Sequence, residues 1–194
     1  MKTIFKLSIW IAIPLMIATG ICNAQVAGKQ ANSKIKVKSG NLVLKTSIGG
    51  KEENDIFIFD NYGERFYFET GNECYIADLS KTNAYMLDHN KKIYTENTMN
   101  KIYASSLCAN LLEWGTITNS PLREKLPDRI IAGKNCTTYS CKVSPTETLT
   151  IAVWEGLPFL VEGSRSKIIA TSFSETIPEG IFNVPADYKL VEAK

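Results

Sequence analysis

Between Ile56 and Tyr94 the chain alternates short apolar runs with clusters of turn residues, and this spacing constrains the fold more than any other feature of the sequence. Ile56-Phe57-Ile58-Phe59 and Phe66-Tyr67-Phe68 flank Asp60-Asn61-Tyr62-Gly63-Glu64. Gly71-Asn72-Glu73 precedes Cys74-Tyr75-Ile76-Ala77, and Ala84-Tyr85-Met86-Leu87 is followed by Asp88-His89-Asn90-Lys91 and then Ile93-Tyr94. Strands punctuated every ten residues or so predict an antiparallel meander. Several of these runs are apolar at both parities, so each side of the sheet must meet something other than bulk water.

The flanking segments extend the same pattern. Ile35 and Val37 alternate with lysines, Ser39-Gly40-Asn41 reads as a turn, and Leu42 and Leu44 continue on the other side, which predicts a hairpin with one wet face. Residues 47–54, with Gly49-Gly50, read as the next connection. Farther on, Ile130-Ile131, a Gly133-Lys134 turn, Cys136 to Val143, a Ser144-Pro145 turn and Leu149 to Trp154 predict further strands, closed by the breaker Gly156-Leu157-Pro158. Phe159 to Val161 and Lys167 to Phe173 complete the set. One helix is predicted over 98–114: Met99, Ile102, Tyr103, Leu107, Leu111 and Trp114 recur every three or four residues, with Asn97 or Thr98 to cap it and Gly115 to end it. Residues 116–128, with Pro121 and Pro127, read as a connection too broken for a strand. The fold class expected is mainly β with one or two helices (α+β): about ten strands in a sheet that must curl or stay an unclosed barrel, with the helix across its concave face.

Residues 1–24 have the form of a secretory signal, with Lys2 and Lys6 before an apolar stretch from Leu7 to Ile17 and a small-residue cleavage pattern ending at Ala24. The apolar stretch is shorter than the roughly 20 residues of a membrane span, so cleavage is expected, with no transmembrane segment left behind. Cys22 invites a lipoprotein reading, but Ile21 stands where a lipobox takes a small residue. Residues 25–33 read as a flexible lead and 34–194 as a single β-rich domain. Cleavage leaves 20 of the 22 Lys and Arg against 20 Asp and Glu, so no basic surface for nucleic acid is expected. The chain is expected to be exported, to the periplasm first, with secretion or outer-membrane association as alternatives.

Four cysteines follow the signal: Cys74, Cys108, Cys136 and Cys141. Disulfides or buried thiols are the expectation in an exported chain. Cys136 and Cys141 are not expected to pair with each other, because an extended strand would separate their Cα atoms by roughly 16 Å, beyond disulfide reach. There is no C-x-x-C pair for zinc, and the single histidine, His89, sits in turn composition without a nucleophile motif. No catalytic residue, metal site or cofactor is therefore assigned. The remaining candidate is an apolar cavity. Phe57, Phe59, Phe66, Phe68, Ile76, Tyr85 and Leu87 could line a curled sheet, with Ile102 and Leu111 facing them from the helix; such a sheet either packs solid or holds an apolar guest.

Ile131-Ala132-Gly133-Lys134-Asn135-Cys136-Thr137-Thr138-Tyr139, then Ala152-Val153-Trp154 and Gly156-Leu157-Pro158, resemble the I-A-G-x-x-C-x-x-Y … W … L-P pattern of an exported, uncharacterised bacterial family. The ending Phe182-Asn183-Val184-Pro185-Ala186-Asp187-Tyr188 is similar to the F-x-V-P-x-x-Y ending of the same group. That family is associated in fold with the periplasmic lipoprotein carriers and receptors, an unclosed barrel with helices over its hollow. The resemblance implies a non-enzymatic envelope protein that holds a lipid or acyl chain in the hollow, and it carries over no catalytic residue. The alternative is a structural or protein-interaction module of the envelope with a packed core and no ligand.

Overall fold

The computed structural model describes residues 35–81, 83–98 and 123–192. Among them twelve strands form one sheet in the order β12-β6-β5-β4-β3-β2-β1-β11-β10-β9-β8-β7. The first meander is β1 (Gly40–Ile48), β2 (Lys51–Asp60), β3 (Arg65–Thr70), β4 (Glu73–Asp78), β5 (Asn83–Asp88) and β6 (Ile93–Thr98). The second is β7 (Arg123–Ile131), β8 (Lys134–Lys142), β9 (Thr148–Trp154), β10 (Leu157–Glu162) and β11 (Ser166–Ser174), and a two-residue β12 (Lys189–Leu190) follows. Every pairing is antiparallel except that of β12 with β6. The two meanders join through β1 and β11, so β6 and β7, consecutive in sequence, sit toward opposite ends of the sheet. The sheet is unclosed but strongly curled: β7 comes against β11 although three strands separate them in the order.

Turn chemistry explains several departures from the sequence reading. The breaker at Glu155-Gly156 is a two-residue hairpin turn with φ of 48° and 83°, both in the left-handed region of a type I′ turn, so Leu157 and Pro158 begin β10 instead of ending a strand. Ala132-Gly133 turns the chain in the same way between β7 and β8, with φ of 47° and 74°. Residues 123–128, expected to be a connection, belong to β7. Pro127 is accommodated because β7 is an edge strand and its register shifts between Leu126 and Arg129, so no ladder donor is needed there. The hairpin expected across Ser39-Gly40-Asn41 is absent: Gly40 opens β1, which pairs with β2 across the Gly49-Gly50 turn. Ile35 is buried all the same. The only helix among the described residues is a 3-10 turn, Asn61–Gly63. The helix expected over 98–114, with Ile102, Cys108 and Leu111, lies outside the described residues apart from Thr98, which ends β6, and so do residues 1–24 with Cys22.

Both sides of the first meander are buried, as the two-parity pattern requires. The inner face carries Leu42 and Leu44 of β1, Phe57 and Phe59 of β2, Phe66 and Phe68 of β3, and Tyr75 and Ala77 of β4. The curl brings this face into one core with Cys136, Ala152, Leu157, Phe159 and Leu160 of the second meander. The outer face carries Ile58, Tyr67, Cys74, Ile76 and Leu87, and Ile177, Ile181, Phe182 and Tyr188 of the C-terminal segment pack over it. That segment is tied down by backbone bonds from Lys189 N to Lys92 O and from Val191 N to Tyr94 O. The Lys92–Asp187 ion pair and the Arg65 guanidinium, 4.7 Å above the Phe182 ring, add to them. A third apolar group, Cys141, Leu149, Ile151 and Val161, fills the second meander.

Candidate functional site

The inner face is the surface on which a guest could be held, and strand parity decides which residues belong to it. In β2 the alternation places Phe57 and Phe59 inward and Ile56 and Ile58 outward; in β3 Phe66 and Phe68 point inward and Tyr67 outward. Register then aligns Leu42, Phe57, Phe68 and Tyr75 in one row across β1 to β4, and Phe59, Phe66, Ala77 and Ala84 in another across β2 to β5. The rings of Phe57 and Phe59 are 5.6 Å apart and those of Phe57 and Phe66 6.2 Å, within aromatic pairing distance. Of the residues that the sequence suggested as a lining, Phe57, Phe59, Phe66 and Phe68 share this face. Ile76, Tyr85 and Leu87 lie on the outer face against the C-terminal segment. The sequence reading kept one parity within each strand but took the inward one in β2 and β3 and the outward one in β4 and β5, a choice that only the register decides.

The inner face is polarised along the strands. At the Gly40 end the aromatics crowd: Trp154, Phe159 and Phe173 have ring centroids 5.1 to 5.8 Å apart, and the Lys134 ammonium stands 4.3 Å from the Trp154 ring centroid. A Cβ on Gly40 would come within 2.6 Å of the Phe173 ring and 2.7 Å of the Phe59 ring, so only glycine leaves room for this packing. At the other end of β1, roughly 20 Å away at about 3.3 Å per residue, the same face turns polar. Thr46, Glu53, Asp55, Thr70 and Glu73 share the parity of the inward residues.

Asp55 is the centre of that polar end. It is 1% exposed, set between Leu44 and Thr70 in the register. The Thr46 hydroxyl donates to Oδ2, and Oδ1 is buried with no hydrogen-bond partner. Burial pushes the Asp55 carboxyl above its ordinary value; the Thr46 and Thr70 hydroxyls counter the rise and the Glu53 carboxylate adds to it. Glu53 is ion-paired with Lys51, and Glu73 accepts from the Tyr75 hydroxyl at 2.9 Å. No sequence signal short of the strand register shows that Asp55 faces inward, since Glu-Glu-Asn-Asp reads as a polar connection.

Cys74, Cys136 and Cys141 are free, buried thiols. Cys136 and Cys141 lie on the single strand β8, five residues apart and therefore on opposite faces, Cys136 in the inner core and Cys141 in the third apolar group. Burial pushes Cys74 up to about 12 and Cys136 up to about 11, and it raises Cys141 as well. Among the described residues no three His, Cys, Asp or Glu side chains are placed to hold a metal ion. His89 occupies its expected turn, where Nδ1 is 2.6 Å from the Tyr188 hydroxyl and helps to fasten the C-terminal segment.

No family model and no curated protein matches the sequence. Among solved structures the chain is similar to an uncharacterised conserved protein from Thermus thermophilus, with a TM-score of 0.54 and 9% identity over 83% of this chain and 94% of that one. It is similar to PNGF-II at a TM-score of 0.49 and 11% identity, over 80% of this chain and 32% of that one, so it spans about a third of PNGF-II. It is similar also to the Pseudomonas aeruginosa MucA/MucB complex at a TM-score of 0.47 and 9% identity, over 82% of this chain and 59% of that one. The Thermus likeness supports the fold, a single large curled sheet, and nothing about activity. The residues of the family-like motifs are packing residues: Cys136 lies in the inner core, Trp154 packs against it, Tyr139 packs on the third group and Phe182 and Tyr188 cover the outer face. No helix among the described residues is long and apolar enough to cross a membrane.

Proposed function

We propose that this chain is a non-enzymatic binding protein of the bacterial cell envelope that takes an apolar chain, a lipid or an acyl group, against the inner face of its curled sheet. The single observation that carries this reading is the one-sided phenylalanine surface: Phe57, Phe59, Phe66 and Phe68 side by side, continued by Phe159 across the curl. An unclosed sheet can part along its edges to admit a guest, which a closed barrel cannot do without breaking ladder bonds. Extraction and mass spectrometry of the purified protein should find a copurifying acyl species. The stripped protein should then take up a medium-chain alcohol such as decanol by calorimetry; absence of both overturns the reading.

A second reading, a packed module that serves envelope protein contacts and holds no ligand, is favoured by a separate observation. The same four phenylalanines are at most 1% exposed, so a guest must displace protein atoms from them. Shrinking one ring separates the two readings. Phe66→Ala loses stability on either reading; if the face is a binding surface the variant also changes chain-length preference, and if it is only core the variant gains no affinity for any chain.

A further inference from the structure

The polar end of the inner face contains a buried carboxylate oxygen that the fold leaves without a donor. Thr46 satisfies one oxygen of Asp55, and Oδ1 remains without a partner; Leu44 and Thr70 flank Asp55 across the sheet, and Glu53 and Phe57 precede and follow it on the same face of β2. A fold that needed only the Thr46 contact could use asparagine or a hydroxyl there; an ionisable acid with a spare oxygen is suited to a donor from outside the chain. The other charged groups at this end do not supply one. Lys51 is engaged with Glu53, Glu73 lies two strands from Asp55, about 10 Å at about 4.8 Å per strand, and it already accepts from Tyr75. Glu53, Asp55 and Glu73 together outweigh Lys51, so the end is negative and attracts a cation. The aromatic end lies along the same face, which fits a molecule with a charged head and an apolar tail.

We propose that Asp55 is the headgroup contact of the inner face, and that the protein selects amphiphiles whose head is a primary ammonium over those whose head is a carboxylate or a hydroxyl. This rests on the inner face being a ligand surface, and it names the class of ligand. The ammonium donates to Oδ1 and replaces the missing partner with a charge-assisted bond, while Thr46 keeps Oδ2 oriented. The tail lies over Phe57 and Phe68, the next inward residues along β2 and β3.

The experiment compares decylamine, decanol and decanoate, below their aggregation limits, by calorimetry on the stripped full-length mature protein. Each is tested with the wild type, Asp55→Asn and the surface control Glu52→Gln, whose carboxylate pairs with Lys45 on the exposed side. Ethanolamine without a tail is the fourth ligand. Decylamine should bind about tenfold or more tighter than decanol, the scale of one hydrogen bond to a charged group, and decanoate weakest. Asp55→Asn should abolish the amine preference, and Glu52→Gln should keep it. An amine preference that survives in Asp55→Asn, or decanol binding with no amine preference in the wild type, overturns the headgroup assignment while the binding surface stands. Binding of none of the three tailed ligands overturns both. Ethanolamine binding as tight as decylamine shows a cation site independent of the apolar face and overturns the amphiphile assignment.

Discussion

Asp55→Asn should make the protein more stable at neutral pH, an unusual outcome for a change at a residue only 1% exposed. Asparagine keeps an oxygen to accept from Thr46 and removes the charge that burial disfavours. A buried polar group left without a partner costs about 1–3 kcal/mol, and more when charged, while the new amide brings its own donors that Thr70 can meet only in part. The net gain should therefore be about 1–2 kcal/mol, which for a chain of this size raises Tm by about 2–8 °C. The sign of the pH dependence follows from the raised native value of the carboxyl. Above that value Asp55 is ionised in both states and the folded protein carries the whole desolvation penalty. Below about 3.9, the ordinary value for an unfolded aspartate, it is neutral in both and the penalty is gone. The advantage of Asp55→Asn is thus full above the raised native value and shrinks as pH falls from it toward about 3.9. Thermal unfolding of both proteins between pH 3.5 and 8, followed by circular dichroism, measures it. A variant less stable than wild type at pH 7, or a difference that does not change with pH, would refute the view of Asp55 as a buried carboxylate held at a loss.

Four further outcomes test the packing. Gly40→Ala should cost about 1–3 kcal/mol by overpacking, because the new Cβ meets the Phe59 and Phe173 rings below 3 Å; denaturant unfolding reads it. Phe66→Ala, which empties the place between Phe59, Phe57 and Ala77, should cost about 3–5 kcal/mol by the same measurement. Cys74, Cys136 and Cys141 should resist a thiol reagent at pH 7 and react only once the protein is unfolded, since each is buried and its thiolate is disfavoured; fast labelling of any of them in the native protein would contradict the core described. Ending the chain at Ser174 uncovers Ile58, Ile76 and Leu87, so the shortened protein should bind an anilinonaphthalene dye that the full chain does not bind.

How much of this was legible beforehand depended on the range of the forces involved. The strands from Ile56 to Tyr94 were readable because alternation and turn residues act within a few positions, and the two-sided burial of that meander was readable because β2 to β4 are apolar at both parities. Pro127 within β7 and Leu157-Pro158 within β10 were misread for the complementary reason. Proline ends a strand only where its missing N–H would be paired, and whether a position is an edge or a bulge is a property of the finished sheet. The candidate lining divides between the two faces for the same reason: Ile76, Tyr85 and Leu87 look like Phe57 and Phe66 in composition, and only register separates them.

The sequence by itself determined that residues 56–94 fold as short antiparallel strands with apolar residues on both sides, and that Cys136 and Cys141 do not bond to each other, because these follow from periods and distances along one strand. The tertiary structure alone decided that β1 and β11 join the two meanders and that the C-terminal segment covers the outer face. It alone placed Asp55 inside with one oxygen unmet. Those facts rest on contacts between residues far apart in the chain, as with Leu44 and Ala170, and no local pattern encodes which distant strand arrives to make them.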